Sequence, residues 1–122
     1  MKTLFIYLLI SFINFSSLEN LILSLEIRSV KDISNYFNSK TEIIINDKTY
    51  KGNKFQLSNT LNNFYNENEI NNFKIIHKGD SENNLIYILA EYSSNNDIYK
   101  IFLTLFKTEK KYTIQKFKID IK

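Results

Sequence analysis

From Phe73 to the C-terminus the apolar residues recur with a period of two, in four runs broken by short polar turns. A strand sends successive side chains to opposite faces, so this spacing predicts strands. "FKIIHKG" sets Phe73, Ile75 and His77 against Lys74, Ile76 and Lys78. "GDSENN" is a polar turn, so "LIYILAEYS" is expected to hairpin back. "SSNND" then turns into "IYKIFLTLFKT", and "EKK" into "YTIQKFKIDIK". In the third run Tyr99, Ile101, Leu103 and Leu105 share one face. Ile98, Phe102 and Phe106 share the other, with Lys100 and Thr104. Apolar residues on both faces imply a strand covered twice, by helices on one side and by a partner subunit on the other. In the last run the apolar phase slips from Tyr112 and Ile114 to Phe117, Ile119 and Ile121. A one-residue slip flips faces, which predicts a β-bulge near Gln115 and Lys116.

The preceding residues read as helical. In "LENLILSLEIRSVKDISNYF", Leu18, Leu21, Ile22, Leu25, Ile33 and Phe37 fall at helical spacing, with Val30 beside them. This predicts one amphipathic helix ending near Asn38 and Ser39. Its polar face mixes acids and bases, which fits packing on a core better than lying on a membrane. "TEIIIND" is a short buried strand and "KTYKGN" a turn carrying Gly52. Asn53 then caps a second helix, "NKFQLSNTLNNFYNEN", with Gln56 placed for reciprocal capping. Phe55, Leu57, Leu61, Phe64 and Tyr65 supply its stripe, some of them at its edge. Two helices and one short strand followed by a four-strand meander give an α+β fold. The helices pack on a curved antiparallel sheet. With 122 residues and no proline, the natural organisation is a single domain over residues 18–122.

"MKTLFIYLLISFINFSS" opens with Lys2, followed by an apolar run from Leu4 to Phe15. That pattern reads as an export signal over residues 1–17, with the exported chain beginning near Leu18. The run is too short for a comfortable membrane span, so none is expected after cleavage. The expected location is periplasmic or secreted. Cysteine is absent, which excludes thiol nucleophiles, disulfides and a lipid-bearing N-terminal cysteine.

Several strings carry a resemblance: "YFNSKTEIIINDKTYKG", "LNNFYNEN", "NFKIIHKGDSENNLIYILAEY" and "YTIQKFKID". Over about Leu18 to Lys122 the chain resembles the domain of unknown function 4783 family, small exported Bacteroidetes proteins. That family belongs to the nuclear-transport-factor-two-like, cystatin-like cone group. The resemblance implies the cone fold and the compartment, and has no activity to lend. The absent prolines and asparagine-rich turns depart from it.

Some cone-fold enzymes place an acid–base pair inside the open end, where an apolar wall raises a carboxylate's pKa. Candidates here are His77, Glu91, Asp47, Tyr36, Tyr65 and Tyr92. His77 shares strand parity with Phe73 and Ile75, which predicts an inward direction. The plainer reading is a strand-end histidine without reactive duty. Glu91 alternates with Leu85, Tyr87 and Leu89; an inward Glu91 needs a partner such as Lys100 or His77, and a cross-strand surface pair is the plainer reading. Tyr87, Tyr92, Tyr99 and Tyr112 are read as a tyrosine patch suited to protein or ligand contact. One histidine and scattered carboxylates give no metal-ligand spacing. Two glycines make no phosphate cradle, and no serine sits in a nucleophile elbow. No cofactor is expected. The formal net charge of +3 is spread along the chain, which argues against nucleic acid as a partner. The leading expectation is a non-catalytic envelope module that binds a protein or small ligand through the sheet face or cone mouth. It includes a homodimer through that sheet face. The alternative is a small cone-fold enzyme with a pocket acid–base residue. A third reading is a structural accessory to an envelope assembly.

Overall fold

The structure, a computed structural model, describes residues 17–109 and 111–122. The segment read as an export signal lies outside the described residues, apart from Ser17, the first residue of α1 (Ser17–Ile27). Leu21 and Leu25 of this helix are fully buried. Contrary to the expectation of one long helix, α1 stops at Arg28, whose φ is +59°. The Ser29 N–H donates to the Ser24 carbonyl at 3.0 Å and the Arg28 N–H to the Leu25 carbonyl at 3.3 Å. This pair closes a helix end through a left-handed residue, a place where glycine is usual. Ser29 then caps α2 (Val30–Ile33), accepting from the Asp32 N–H. A 3₁₀ turn, Ser34–Tyr36, follows. The break turns Val30, Ile33 and Phe37 into the same core that Leu21 and Leu25 fill.

The next strands are β1 (Glu42–Ile45) and β2 (Lys48–Tyr50). They form a hairpin with Ile45 opposite Lys48. Asn46 and Asp47 make its two-residue turn with φ of +48° and +70°. Asn and Asp tolerate that conformation, so the turn falls there and not at Lys48–Asn53, as expected from sequence. The sheet therefore has a sixth strand. In α3 (Lys54–Glu67) the predicted capping box is present between Asn53 and Gln56. Leu57, Leu61 and Phe64 are buried, whereas Phe55 is 72% exposed and lies off the stripe.

The second half forms the expected meander: β3 (Asn72–Asp80), β4 (Leu85–Ser93), β5 (Ile98–Lys107) and β6 (Tyr112–Ile121). Sheet order is β2-β1-β6-β5-β4-β3. All neighbours are antiparallel except β1 and β6, which are parallel with Ile43 opposite Phe117. The chain crosses from β2 through α3 to the far edge, so the returning meander meets β1 in the same direction. The helices cover the inner face of this curved sheet. Ile86, Ile88, Ala90 and Tyr92 of β4 and Tyr99, Ile101, Leu103 and Leu105 of β5 point into that core.

Two bulges decide which side chains face outward. On β6, Thr104 pairs with Lys116 and Leu105 with Ile114, leaving Gln115 as the extra residue. This is the predicted bulge; the Thr104 hydroxyl contacts Gln115 Oε1 at 3.0 Å. On β3, Ile75 pairs with Ala90 and His77 with Leu89, leaving Ile76 as an extra residue that the sequence reading did not foresee.

Candidate interaction face

Inside the cone, packing and hydrogen bonds hold the phenols of Tyr65, Tyr92 and Tyr99. Tyr92 is fully buried and donates its hydroxyl proton to the Leu25 carbonyl at 2.6 Å. With that proton committed, Tyr65 donates to Tyr92 Oη at 2.7 Å, their rings edge to face at 5.7 Å. This chain ties β4 to both α1 and α3. Burial raises the Tyr65 phenol well above its ordinary value, against smaller lowering by the Tyr92 hydrogen bond and the Arg28 charge. Burial also raises Tyr92, and the neighbouring Tyr65 adds to it. Both phenols therefore stay neutral and act as structural donors. Tyr99 lies edge-on to Phe64 at 5.5 Å and donates to Asn68 Oδ1 at 3.0 Å. Burial, then the Asp97 charge, raises its phenol. Among the described residues, every buried side-chain nitrogen and oxygen has a partner. No three His, Asp or Glu side chains gather there as a metal site would require.

An open cleft lies between α3 and the β1–β2 hairpin, lined by Asn46, Tyr50, Asn63, Phe64, Glu67 and Asn68. Two of its carboxamides already serve the fold. Asn46 Oδ1 accepts from the Ile121 N–H at 2.9 Å, and Asn68 Oδ1 holds Tyr99.

The outer face of the sheet is different. The bulge at Ile76 reverses parity, so His77 stands on the face opposite Phe73 and Ile75, the reverse of the inward direction expected from alternation. It is exposed, and β3 continues past it to Asp80, so it does not end the strand. His77 Nε2 and Tyr87 Oη are 3.0 Å apart, with ring centroids at 5.5 Å. Tyr87 reaches this position by lying across Gly79, where a Cβ would meet its hydroxyl at 2.8 Å. Glu91 is also on the outer face. It stands opposite Lys100 in the ladder and takes the Lys122 ammonium at 2.7 Å. The Lys122 hydrogen bond holds its carboxyl below the usual carboxylate range, and the Lys122 and Lys74 charges add to this. His77 and Glu91 thus belong to separate pairs. The tyrosine patch expected from sequence divides between the faces: Tyr92, Tyr99 and Tyr112 pack with the core, and Tyr87 lies outside. Tyr36 is half-buried in the 3₁₀ turn and Asp47 is exposed in the hairpin turn.

Read across the strands β3, β4, β5 and β6, the outer face has five rows. The first is Asn72, Ser93 and the 42% exposed Ile98; the second is Lys74, Glu91, Lys100, Asp120; the next is His77, Leu89, Phe102, Lys118. Then come Gly79, Tyr87, Thr104 and Lys116, and lastly Leu85 with Phe106 and Thr113. Leu85, Tyr87, Leu89 and Phe102 are half-buried and Phe106 is 42% exposed. They form an apolar band on the two middle strands, bounded at one end by charge. Lys100, Phe102 and Phe106 carried a sequence signal, since they fall on the second apolar face of the β5 run. The row partners Asp120 and Lys118 carried none, because register is a tertiary property.

A family model described as Domain of unknown function (DUF4783) matches residues 18–120. A DUF4783 family protein from Bacteroides uniformis has 19% identity over 85% of this chain and 95% of its own, with a TM-score of 0.76. A second, from Bacteroides ovatus, has 18% identity over 83% of this chain and 91% of its own, with a TM-score of 0.75. An NTF-2 like protein of unknown function from Silicibacter pomeroyi has 10% identity over 88% and 95%, with a TM-score of 0.65. At such identities these likenesses establish the fold alone. No curated protein matches the chain.

Proposed function

The chain belongs to the DUF4783 family of domains of unknown function, and from that premise we propose that it is a non-catalytic docking module working through its outer sheet face. The partner is a protein surface with an apolar centre edged by paired charges. One observation carries the reading: the outer face holds a continuous apolar band over Leu85, Tyr87, Leu89, Phe102 and Phe106, while the inner face is spent on the core. Strands apolar on both sides are normally covered on both sides, and half-exposed aromatics with a charged edge resemble interface composition. The neutral, mutually bonded phenols of Tyr65 and Tyr92 support the non-catalytic half of the reading, because neither is positioned to exchange a proton with a substrate. No described helix is long and apolar enough to cross a membrane. We further propose export to the periplasm or outside the cell, directed by the residues before Leu18. An intact Met1 in the mass of exported material overturns cleavage before Leu18, and recovery of the chain from the cytoplasm alone overturns export.

A photo-crosslinking residue tests the face. Placed at Phe102 in the full chain expressed in its own cell, it is expected to give adducts on illumination. Placed at Phe55, which is more exposed but on α3, it is expected to give none. Equal yields from both positions, or no adduct from Phe102, overturn the reading.

A further inference from the structure

We propose that the polar groove running along α3 and across the β4–β5 turn is a binding site for a neutral oligosaccharide. It is a second site: none of the residues in the outer rows of the sheet lines it, and it does not rest on the docking reading.

The groove consists of two openings that share Glu67 and Asn68. The first, of about 380 Å³, is the cleft between α3 and the β1–β2 hairpin. The second, of about 200 Å³, continues from Glu67 and Asn68 over the turn at residues 94–97. Small-molecule sites begin at about 300 Å³, so the first opening alone is large enough to hold a ligand. Thr60, Asn63, Phe64 and Glu67 recur at helical spacing, so one stripe of α3 lines it.

The chemistry of the lining selects the ligand. Carboxamides dominate, from Asn46, Asn63 and Asn68 in the first opening to Asn95 and Asn96 in the second. Among the described residues no lysine or arginine lines either opening, although the chain holds 16 of them. An anion therefore finds no counter-charge there. The carboxylates are spread along the groove, and no three His, Asp or Glu side chains among the described residues gather to hold a metal ion. The match is a neutral molecule that donates and accepts many hydrogen bonds, and each sugar hydroxyl does both.

Three of the carboxamides are fixed by the fold and keep groups to spare. Asn46 Oδ1 accepts from the Ile121 N–H at 2.9 Å, which leaves both donors of its amide. Asn95 Oδ1 accepts from the Asn71 amide at 3.0 Å and is left the same way. Asn68, at the junction, accepts from the Tyr99 hydroxyl at 3.0 Å and donates to the Phe64 carbonyl at 2.8 Å. It keeps one donor and one lone pair. The turn itself is closed by the Ser94 N–H donating to the Asp97 carbonyl at 2.8 Å and the Asp97 N–H donating to the Ser94 hydroxyl at 3.0 Å. Groups held in place before the ligand arrives lose less freedom on binding.

Tyr50 supplies the apolar platform. Its half-buried ring lines the first opening, and the Lys48 ammonium sits 5.2 Å from its centroid and restrains it. An aromatic face is negative, and the C–H groups on the face of a sugar ring present slight positive charge to it. An extended peptide calls instead for pockets that take its side chains, and Phe64 offers only 5% of its surface here. Because the groove is open, a dissociation constant of about 0.1–1 mM is expected.

Nitrogen-15 NMR titration of the exported protein tests the site. The neutral probes are maltotriose, cellotriose, mannotriose, xylotriose and triacetylchitotriose, each taken to about 10 mM to suit that affinity. Spermidine is the cationic probe and inorganic phosphate the anionic one. At least one trisaccharide is expected to move the amide signals of residues 63–68 and 94–97 together and saturably, while spermidine and phosphate leave them in place. Tyr50→Ala is expected to weaken that sugar at least tenfold through loss of the platform. Asn63→Ala, at an exposed position, is expected to weaken it about fivefold through loss of hydrogen bonds. Phe55→Ala, exposed on the first turn of α3 and outside both openings, is expected to bind as the wild type does. Circular dichroism confirms that each variant is folded, and should Tyr50→Ala not fold, Asn63→Ala decides. No movement of these amides with any trisaccharide, equal movement with spermidine or phosphate, or sugar binding unmoved by the folded variants overturns the proposal. Crosslinking from Phe102 reads a different face, so the two readings fail separately.

Discussion

The two faces of the one sheet are built from the same strands and do opposite work. On the inner face, Leu103, Leu105, Phe117 and Ile119 are fully buried and Tyr92 is tied by hydrogen bonds to two helices. On the outer face, neighbours one residue away along the chain, such as Phe102 and Phe106, remain partly open and edged by lysines and acids. The lesson is that composition does not separate a core from a surface here. Both faces carry Phe, Leu and Tyr, and what distinguishes them is whether polar groups close the packing or flank it.

The largest expected difference between the faces is in stability. Phe117→Ala empties a fully buried site and is expected to lower unfolding free energy by about 3–5 kcal/mol in urea denaturation. Phe106→Ala, measured in dilute protein, is expected to change it by less than about 0.5 kcal/mol. Similar losses for both would break the contrast. Next is the tyrosine chain. Tyr92→Phe strands the Tyr65 donor and one Leu25 carbonyl contact, at an expected cost of about 1–3 kcal/mol. Tyr87→Phe removes only an exposed contact to His77 and is expected to sit near zero in the same assay.

Alkaline pH sharpens the same point. Both buried phenols have folded-state pKa values above the ordinary 10.0. A group raised on folding contributes fully below its unfolded value and loses that contribution as pH rises through the folded one. Urea midpoints are therefore expected to hold to about pH 10 and then fall. The variant carrying both Tyr65→Phe and Tyr92→Phe is expected to lose most of that slope, and an unchanged slope places the titration elsewhere. The smaller local test is the cap of α3. Asn53→Ala removes one side of its capping box and is expected to cost about 1 kcal/mol by thermal or urea unfolding. The smallest effect belongs to Gly79→Ala. The added Cβ crowds the Tyr87 hydroxyl, so the His77 contact is expected to open with little change in stability. The check is the loss of coupling between the His77 and Tyr87 ring signals by NMR.

Much of the fold was legible because strand alternation and capping are local. The bulge at Gln115 showed itself because apolar residues on either side are out of phase. The bulge at Ile76 did not, because Ile75 and Ile76 are both apolar and Lys78, Gly79 and Asp80 carry no phase beyond them. His77 was accordingly assigned to the wrong face. The break at Arg28 was hidden by the absence of glycine, although Ser29 and Asp32 stand at the spacing of a helix start. The site was less legible than the fold. Glu91 is expected from sequence in a cross-strand surface pair with no partner fixed; it stands opposite Lys100, but the ammonium that reaches it comes from Lys122, 31 residues away.

By itself, the amino-acid order determined an α+β chain whose second half is a four-strand meander, capped its α3 helix at Asn53, and marked β5 as apolar on both sides. Each of these rests on spacings of two to four residues, within reach of local sterics and hydrogen bonding. Only the tertiary structure decided which row each outer side chain joins, and so the alternation Lys74, Glu91, Lys100, Asp120. Those four residues come from four different strands, and nothing but strand register brings them into line.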